Sequence, residues 1–187
     1  MTVESTVTND AFPPLESLGH RIMICGPSNA GKSTLAVAIG KKLGLPFVHL
    51  DQFYHLPNTN WVPRPREEFV RLHDATILED RWVMDGNYSG LMPARAARAT
   101  GLIVLLDNRY STFARYLRRT LFQRERAGHL EGARDSIKWN MVHWILIRAP
   151  RKLGSYHALA ETSGLPFVGT HGMREVNRLY AEWGLNR

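Results

Sequence analysis

Gly26-Pro27-Ser28-Asn29-Ala30-Gly31-Lys32-Ser33 sets two glycines, a lysine and a hydroxyl at the spacing G-x-x-x-x-G-K-[ST]. Each position has a chemical reason. The glycines let the backbone N–H groups from Gly26 through Ser28, Asn29 and Ala30 to Gly31 curl round a phosphate chain without side-chain clashes. The helix that follows, with Thr34 in its first turn, aims its N-terminus at the same point, and its dipole favours an anion there. Lys32 is expected to reach the β- and γ-phosphates and Ser33 to ligate Mg²⁺. These residues predict binding of a nucleoside triphosphate, taken as ATP with Mg²⁺.

Three acids stand directly after apolar runs: Asp51, Asp85 and Asp107. In a parallel sheet, ligands bind beyond the carboxyl ends of the strands, which is where such residues fall. Asp85, after Trp82-Val83-Met84, is the first choice for holding the Mg²⁺ shell through water. Asp107 follows the still more apolar run Leu102–Leu106, and spacing alone leaves either acid open. Asp51 stands where an acceptor hydroxyl or a second metal contact is expected. Each acid has an alternative role as a helix N-cap or turn residue. His49, Tyr54, His55 and Trp61 surround Asp51 in sequence, and with Tyr88 they could make an acceptor pocket with aromatic walls and polar tips. Packing is the competing role of tryptophan, and the one favoured for Trp139 and Trp144.

These residues need a scaffold, and the pattern supplies one. Arg21–Cys25 reads as a buried strand, and 32–43 as a helix with apolar residues at 35, 36, 39 and 43 and Gly44 as its C-cap. Further strands are expected at 46–50, 81–84, 102–106 and 166–168, and helices at 67–78, 111–126, 136–147 and 174–183. In the helix from Ser111, Phe113, Leu117 and Leu121 share one face. Strands alternating with helices predict an α/β fold with a parallel sheet covered on both faces. The loop 169–172, with His171, should follow the last strand.

The 187 residues suit one domain able to bury a core without staples. The organisation expected is a flexible extension over 1–18 and a single domain over 19–187. One cysteine, Cys25, and no Cys/His cluster of zinc spacing exclude a disulfide scaffold and a zinc module. The acidic, weakly apolar start lacks the features of a signal peptide, and no apolar run reaches membrane-span length, so a soluble, cytoplasmic protein is expected. The formal charge is +7, with 19 of 24 basic residues arginine, and eight arginines fall between Arg95 and Arg126. Such forked cations suit phosphate or nucleic acid.

Phe47-Val48-His49-Leu50-Asp51, Trp61-Val62-Pro63 and Trp82-Val83-Met84-Asp85-Gly86-Asn87-Tyr88-Ser89, taken with the phosphate loop, resemble the adenylate-kinase-related topology modulation proteins. These are small P-loop relatives of the nucleoside monophosphate, shikimate and gluconate kinases. The resemblance implies a five-stranded parallel sheet in the order 2-3-1-4-5 and a mobile, arginine-rich lid, placed here at about 118–135. It matches Asp85-Gly86 to the Asp-Gly of adenylate kinases, but Asn87-Tyr88-Ser89 replaces their aromatic-Pro-Arg, so the arginine that grips a monophosphate is missing. It matches Asp51 to the strand-two acid of shikimate-type kinases, which contacts acceptor and metal. It implies that Arg118 or Arg119 stacks on adenine, that Arg124 or Arg126 reaches the phosphates, and that 169–172 lines the adenine through backbone atoms.

The function expected is phosphoryl transfer from Mg-ATP to a nucleotide or small hydroxylated acceptor. Lys32, Asp51, Arg118 and Arg124 would be catalytic, Ser33 and Asp85 would hold the metal, and Arg119 and His171 would flank the nucleotide. The alternatives are a nucleic-acid-associated P-loop ATPase or regulator, and a nucleotide-binding protein that has lost its chemistry. No helix-turn-helix or other reader element supports the former.

Overall fold

The computed structural model describes residues 11–122, 139–148 and 153–186. Five strands form one sheet: β1 (Arg21–Cys25), β2 (Phe47–His49), β3 (Trp82–Asp85), β4 (Gly101–Leu106) and β5 (Phe167–His171). They run in the order β2-β3-β1-β4-β5, and every neighbouring pair is parallel. With α1 (Lys32–Leu43) springing from the loop after β1, this is the P-loop NTPase fold. The other described helices are α2 (Leu50–Tyr54), α3 (Arg66–Ile77), α4 (Met92–Arg98), α5 (Arg109–Phe122), α6 (Trp139–His143), α7 (Leu153–Ser163) and α8 (Gly172–Glu182). A π-helical turn, Trp144–Arg148, continues α6. Among the described residues no helix is long and apolar enough to cross a membrane.

Alternation along the strands divides the core in two. Ile22, Ile24, Val83, Ile103, Leu105 and Val168 face α1 and α8, where Leu35, Ile39, Val176 and Leu179 meet them. Met23, Met84, Leu102, Val104 and Leu106 face the opposite way, toward Phe69 and Ile77 of α3 and Tyr156 of α7. Residues of β1, β3 and β4 are buried on both faces, as central strands of a doubly covered sheet must be. A smaller cluster joins Tyr116 of α5 to Val142 and Ile145.

Several expectations are corrected. The strand near Asp51 ends at His49, and Leu50 turns into α2, because its fully buried side chain anchors a helical turn under the sheet edge. Asp51 is therefore in the first turn of a helix. The last strand continues through Gly169, Thr170 and His171, which pair with Val104, Leu105 and Leu106, so those residues are not loop. Leu121 is exposed, whereas Thr112 and Tyr116 are buried, so the inner face of α5 is turned from the one expected. Trp139 is 85% exposed and does not pack. Within the expected flexible extension, Leu15–Leu18 form a 3₁₀ turn with both leucines buried, and Phe12 meets Trp183 edge-on. Helices α4 and α7 carry too little apolar periodicity to stand out in sequence.

Two glycines are required for different reasons. Gly44 ends α1 in the left-handed conformation, its N–H donating to the Gly40 carbonyl, in open space. Gly26, at φ 138°, has the Leu105 carbonyl oxygen 2.1 Å from where a Cβ would stand. Gly44→Ala should therefore cost about 1 kcal/mol, the left-handed penalty alone. Gly26→Ala should cost about 3 kcal/mol or more, because a backbone carbonyl of β4 must move. Urea denaturation of the two variants checks the difference.

Candidate functional site

The phosphate loop sits at the carboxyl end of β1, between the ends of β3 and β4. Asn29 lies near its apex with φ 64°, and Gly31 has φ 94° as it enters α1. Ala30 is buried, Ser28, Asn29, Lys32 and Ser33 are half-buried, and Thr34 is exposed on the first turn of α1. The Lys32 ammonium donates to the Pro27 carbonyl at 2.8 Å, spanning the loop from inside. The Asn29 amide is the feature that points to a ligand. Its Oδ1 and Nδ2 are both buried and find no hydrogen-bond partner among the described residues, a costly arrangement that a polar guest would relieve. A phosphate oxygen, itself an acceptor, can take up the Nδ2 donor.

Asp85 lies under the loop. Its register on β3 gives it the parity of Val83, on the sheet face that carries α1. There its Oδ2 accepts from the Ser33 hydroxyl at 2.7 Å. His49, paired in register with Asp85 across β2 and β3, shares that face, and its Nδ1 hydrogen-bonds Asp85 Oδ1. The carboxylate is thus held on both oxygens and is only 5% exposed. Ser33 and Asp85 offer the hard oxygen donors that Mg²⁺ prefers, and Mg²⁺ needs few of them beside water and phosphate. Among the described residues there is no cluster of three His, Cys, Asp or Glu that could cage a metal alone.

Asp107 has a different partner. It forms an ion pair with Arg115 of α5, and Arg115 Nε also donates to the Asn29 carbonyl at 2.8 Å. The Arg115 guanidinium reaches the Ser111 hydroxyl as well, at 2.7 Å. Asp107 is thereby engaged, through Arg115, in bracing the loop apex. Arg118 is exposed on α5. The Arg119 side chain, together with Arg124, Arg126 and most of the span expected as a lid, lies outside the described residues.

On the β2 side, the exposed Asp51 carboxylate accepts from the Tyr88 hydroxyl at 2.7 Å. Burial, and next the Asp51 charge, push the Tyr88 pKa well up, which keeps the phenol a donor. Tyr88 packs against Tyr54 and Phe69, with ring centroids 5.1 and 4.9 Å away. His55 lies edge-on to both Tyr54 and Trp61. Of the residues expected around Asp51, Tyr88 meets its carboxylate and Tyr54, His55 and Trp61 make ring contacts beside it, whereas His49 turns away to Asp85. Phe69 was not foreseen, since it lies outside the motifs and shows only helical apolar spacing. His171 ends β5, and its N–H donates to Glu175 at 2.6 Å rather than opening a loop.

No protein-family model and no curated protein matches this chain. Among solved structures it is similar to a gluconokinase from Sinorhizobium meliloti 1021, at 13% identity and TM-score 0.48, over 89% of this chain and 93% of that one. It is also similar to a YorR protein from Bacillus subtilis crystallised with phosphorylated GDP, at 16% identity and TM-score 0.45, over 87% and 96%. A third is an unliganded sugar kinase from Janibacter sp. HTCC2649, at 14% identity and TM-score 0.44, over 88% and 94%.

The Asp107–Arg115 pair yields a stability test. Its carboxylate side chain is only 4% exposed, so Arg115→Met strands a charge in the fold and should lower stability by about 3 kcal/mol. Adding Asp107→Asn removes that charge and should restore most of the loss. Chemical denaturation of the two single variants and the double variant measures the coupling.

Proposed function

We propose that this protein is a Mg-ATP-dependent phosphotransferase acting on a small hydroxylated or nucleotide acceptor. The observation that carries the reading is the Ser33–Asp85 hydrogen bond at the foot of the phosphate loop, with Asp51 presented from the neighbouring strand-to-helix turn. A loop that only bound phosphate would need no buried acid beside its serine.

In this reading Lys32 leaves the Pro27 carbonyl for the phosphates, and the N–H groups of Ser28 through Gly31 receive their oxygens. Asn29 turns its Nδ2 donor to the same ligand. Ser33 and Asp85 would hold Mg²⁺, which when bound offsets charge on the β- and γ-oxygens. Transfer itself asks mainly for position and cationic support. Asp51 accepts the proton of the acceptor hydroxyl or orients it, with Tyr88 fixing one carboxylate oxygen and leaving the other for the acceptor. Tyr54, His55, Trp61 and Tyr88 supply flat walls for a ring-shaped acceptor. Arg118, Arg119 and Arg124 remain the proposed lid cations, and His171 the proposed edge of the adenine site.

ADP release from Mg-ATP, measured across nucleoside monophosphates, nucleosides, sugars, sugar acids and short DNA, tests this directly. One small acceptor should stimulate turnover strongly. Lys32→Ala should reduce kcat/KM at least about a hundredfold, and Asp51→Asn should lower kcat by a similar factor. Stimulation by DNA alone, or by nothing in the panel, contradicts the reading.

A further inference from the structure

Beyond Asp85 the chain does something that phosphoryl transfer as described does not require. The backbone ladder between β1 and β3 ends with Ile24 opposite Asp85, and the Gly86 N–H donates to the Ile24 carbonyl at 3.3 Å. At the next residue a side chain takes over. Asn87 Oδ1 accepts from the Gly26 N–H at 3.1 Å, and Asn87 Nδ2 donates to the Gly26 carbonyl at 2.9 Å. A primary amide presents an acceptor oxygen and a donor N–H along one edge, so it adds a rung to the sheet just where the phosphate loop departs.

Both ends of that rung are held. Gly26 is backed by the Leu105 carbonyl, which leaves no room for it to move toward β4. Behind Asn87, the fully buried Arg95 of α4 donates to the Gly86 and Asn87 carbonyls at 2.8 and 3.0 Å. Such use of a buried guanidinium is expensive, since burial lowers its pKa and its Nε finds no partner among the described residues. From the same segment Tyr88, at φ 31°, sends its hydroxyl to Asp51. With its N–H and carbonyl both taken by Asn87, Gly26 acts as the fixed root from which the N–H groups of Ser28 to Gly31 reach their ligand.

We propose that Asn87 is a positioning residue that holds the root of the phosphate loop in its ligand-receiving shape and ties it to the segment presenting Tyr88 and Asp51. This rests on the phosphate-loop reading above. Preorganisation of this kind is read as affinity, because a loop that must be ordered on binding binds less tightly.

The test uses inorganic tripolyphosphate and adenosine as separate probes of the full chain, with calorimetry for the first and ligand-observed NMR for the second. Asn87→Ala and the near-isosteric, uncharged Asn87→Leu should each weaken tripolyphosphate binding about tenfold. Adenosine affinity should stay near wild type, and the ligand-free variants should still unfold cooperatively, at a melting temperature lowered by the two buried Gly26 groups left without a partner. Tripolyphosphate affinity within twofold of wild type in either folded variant overturns the proposal. Parallel loss of adenosine binding, or of the fold in both variants, also overturns it, because Asn87 would then be merely structural. A wild-type protein that fails to bind tripolyphosphate brings down the phosphate-loop reading, and this role with it.

Discussion

Asp85 joins parts of the chain that sequence keeps far apart. Its carboxylate takes a hydrogen bond from Ser33 on α1 and another from His49 on β2, while its backbone stays in the β3 ladder. An acid so enclosed can persist only if its oxygens are satisfied, and here they are satisfied by the two elements that flank the site. The arrangement follows from parity. Asp85 and its in-register neighbour His49 must point to the same sheet face, and that face is the one α1 covers. Order in the loop after β1 and order at the end of β2 therefore share one support.

The arginine-rich stretch resolves into several separate tasks. Arg95 is inside the fold, clamping the Gly86 and Asn87 carbonyls, and Arg98 reaches the Ile77 and Leu78 carbonyls at the end of α3. Arg115 neutralises Asp107 and braces Asn29. A guanidinium has five donors in a rigid fork, which suits it to gathering carbonyls at element ends as well as to binding phosphate. Several arginines of the cluster thus serve the scaffold.

The strands and α1 were legible because their periodicities are strong and their boundaries are marked by Gly26, Gly44 and Asp107. The parallel α/β arrangement followed from alternation, while the strand order came with the resemblance to P-loop kinases. Less was legible where tertiary contacts decide. Leu50 reads as a strand residue until its burial under the sheet edge is known, and the turn it makes moves Asp51 into a helix. Asp85 and Asp107 look alike in sequence, and what separates them is whether Ser33 or Arg115 stands opposite. The His49–Asp85 pair could have been found by carrying the strand order into register, since the two residues end adjacent strands. The Asn87 clip could not, because an asparagine after Asp-Gly reads equally well as a turn residue.

The central claim is that the acid beneath the phosphate loop exists to receive a metal-bound nucleotide. Titration of ADP with and without Mg²⁺, in the wild type and in Asp85→Asn, addresses it most directly. The substitution keeps an oxygen for the Ser33 hydroxyl while removing the charge. Mg²⁺ should raise ADP affinity about tenfold or more in the wild type, and most of that gain should vanish in Asp85→Asn while Mg-free binding is retained. An equal gain from Mg²⁺ in both proteins, or none in either, would contradict the account.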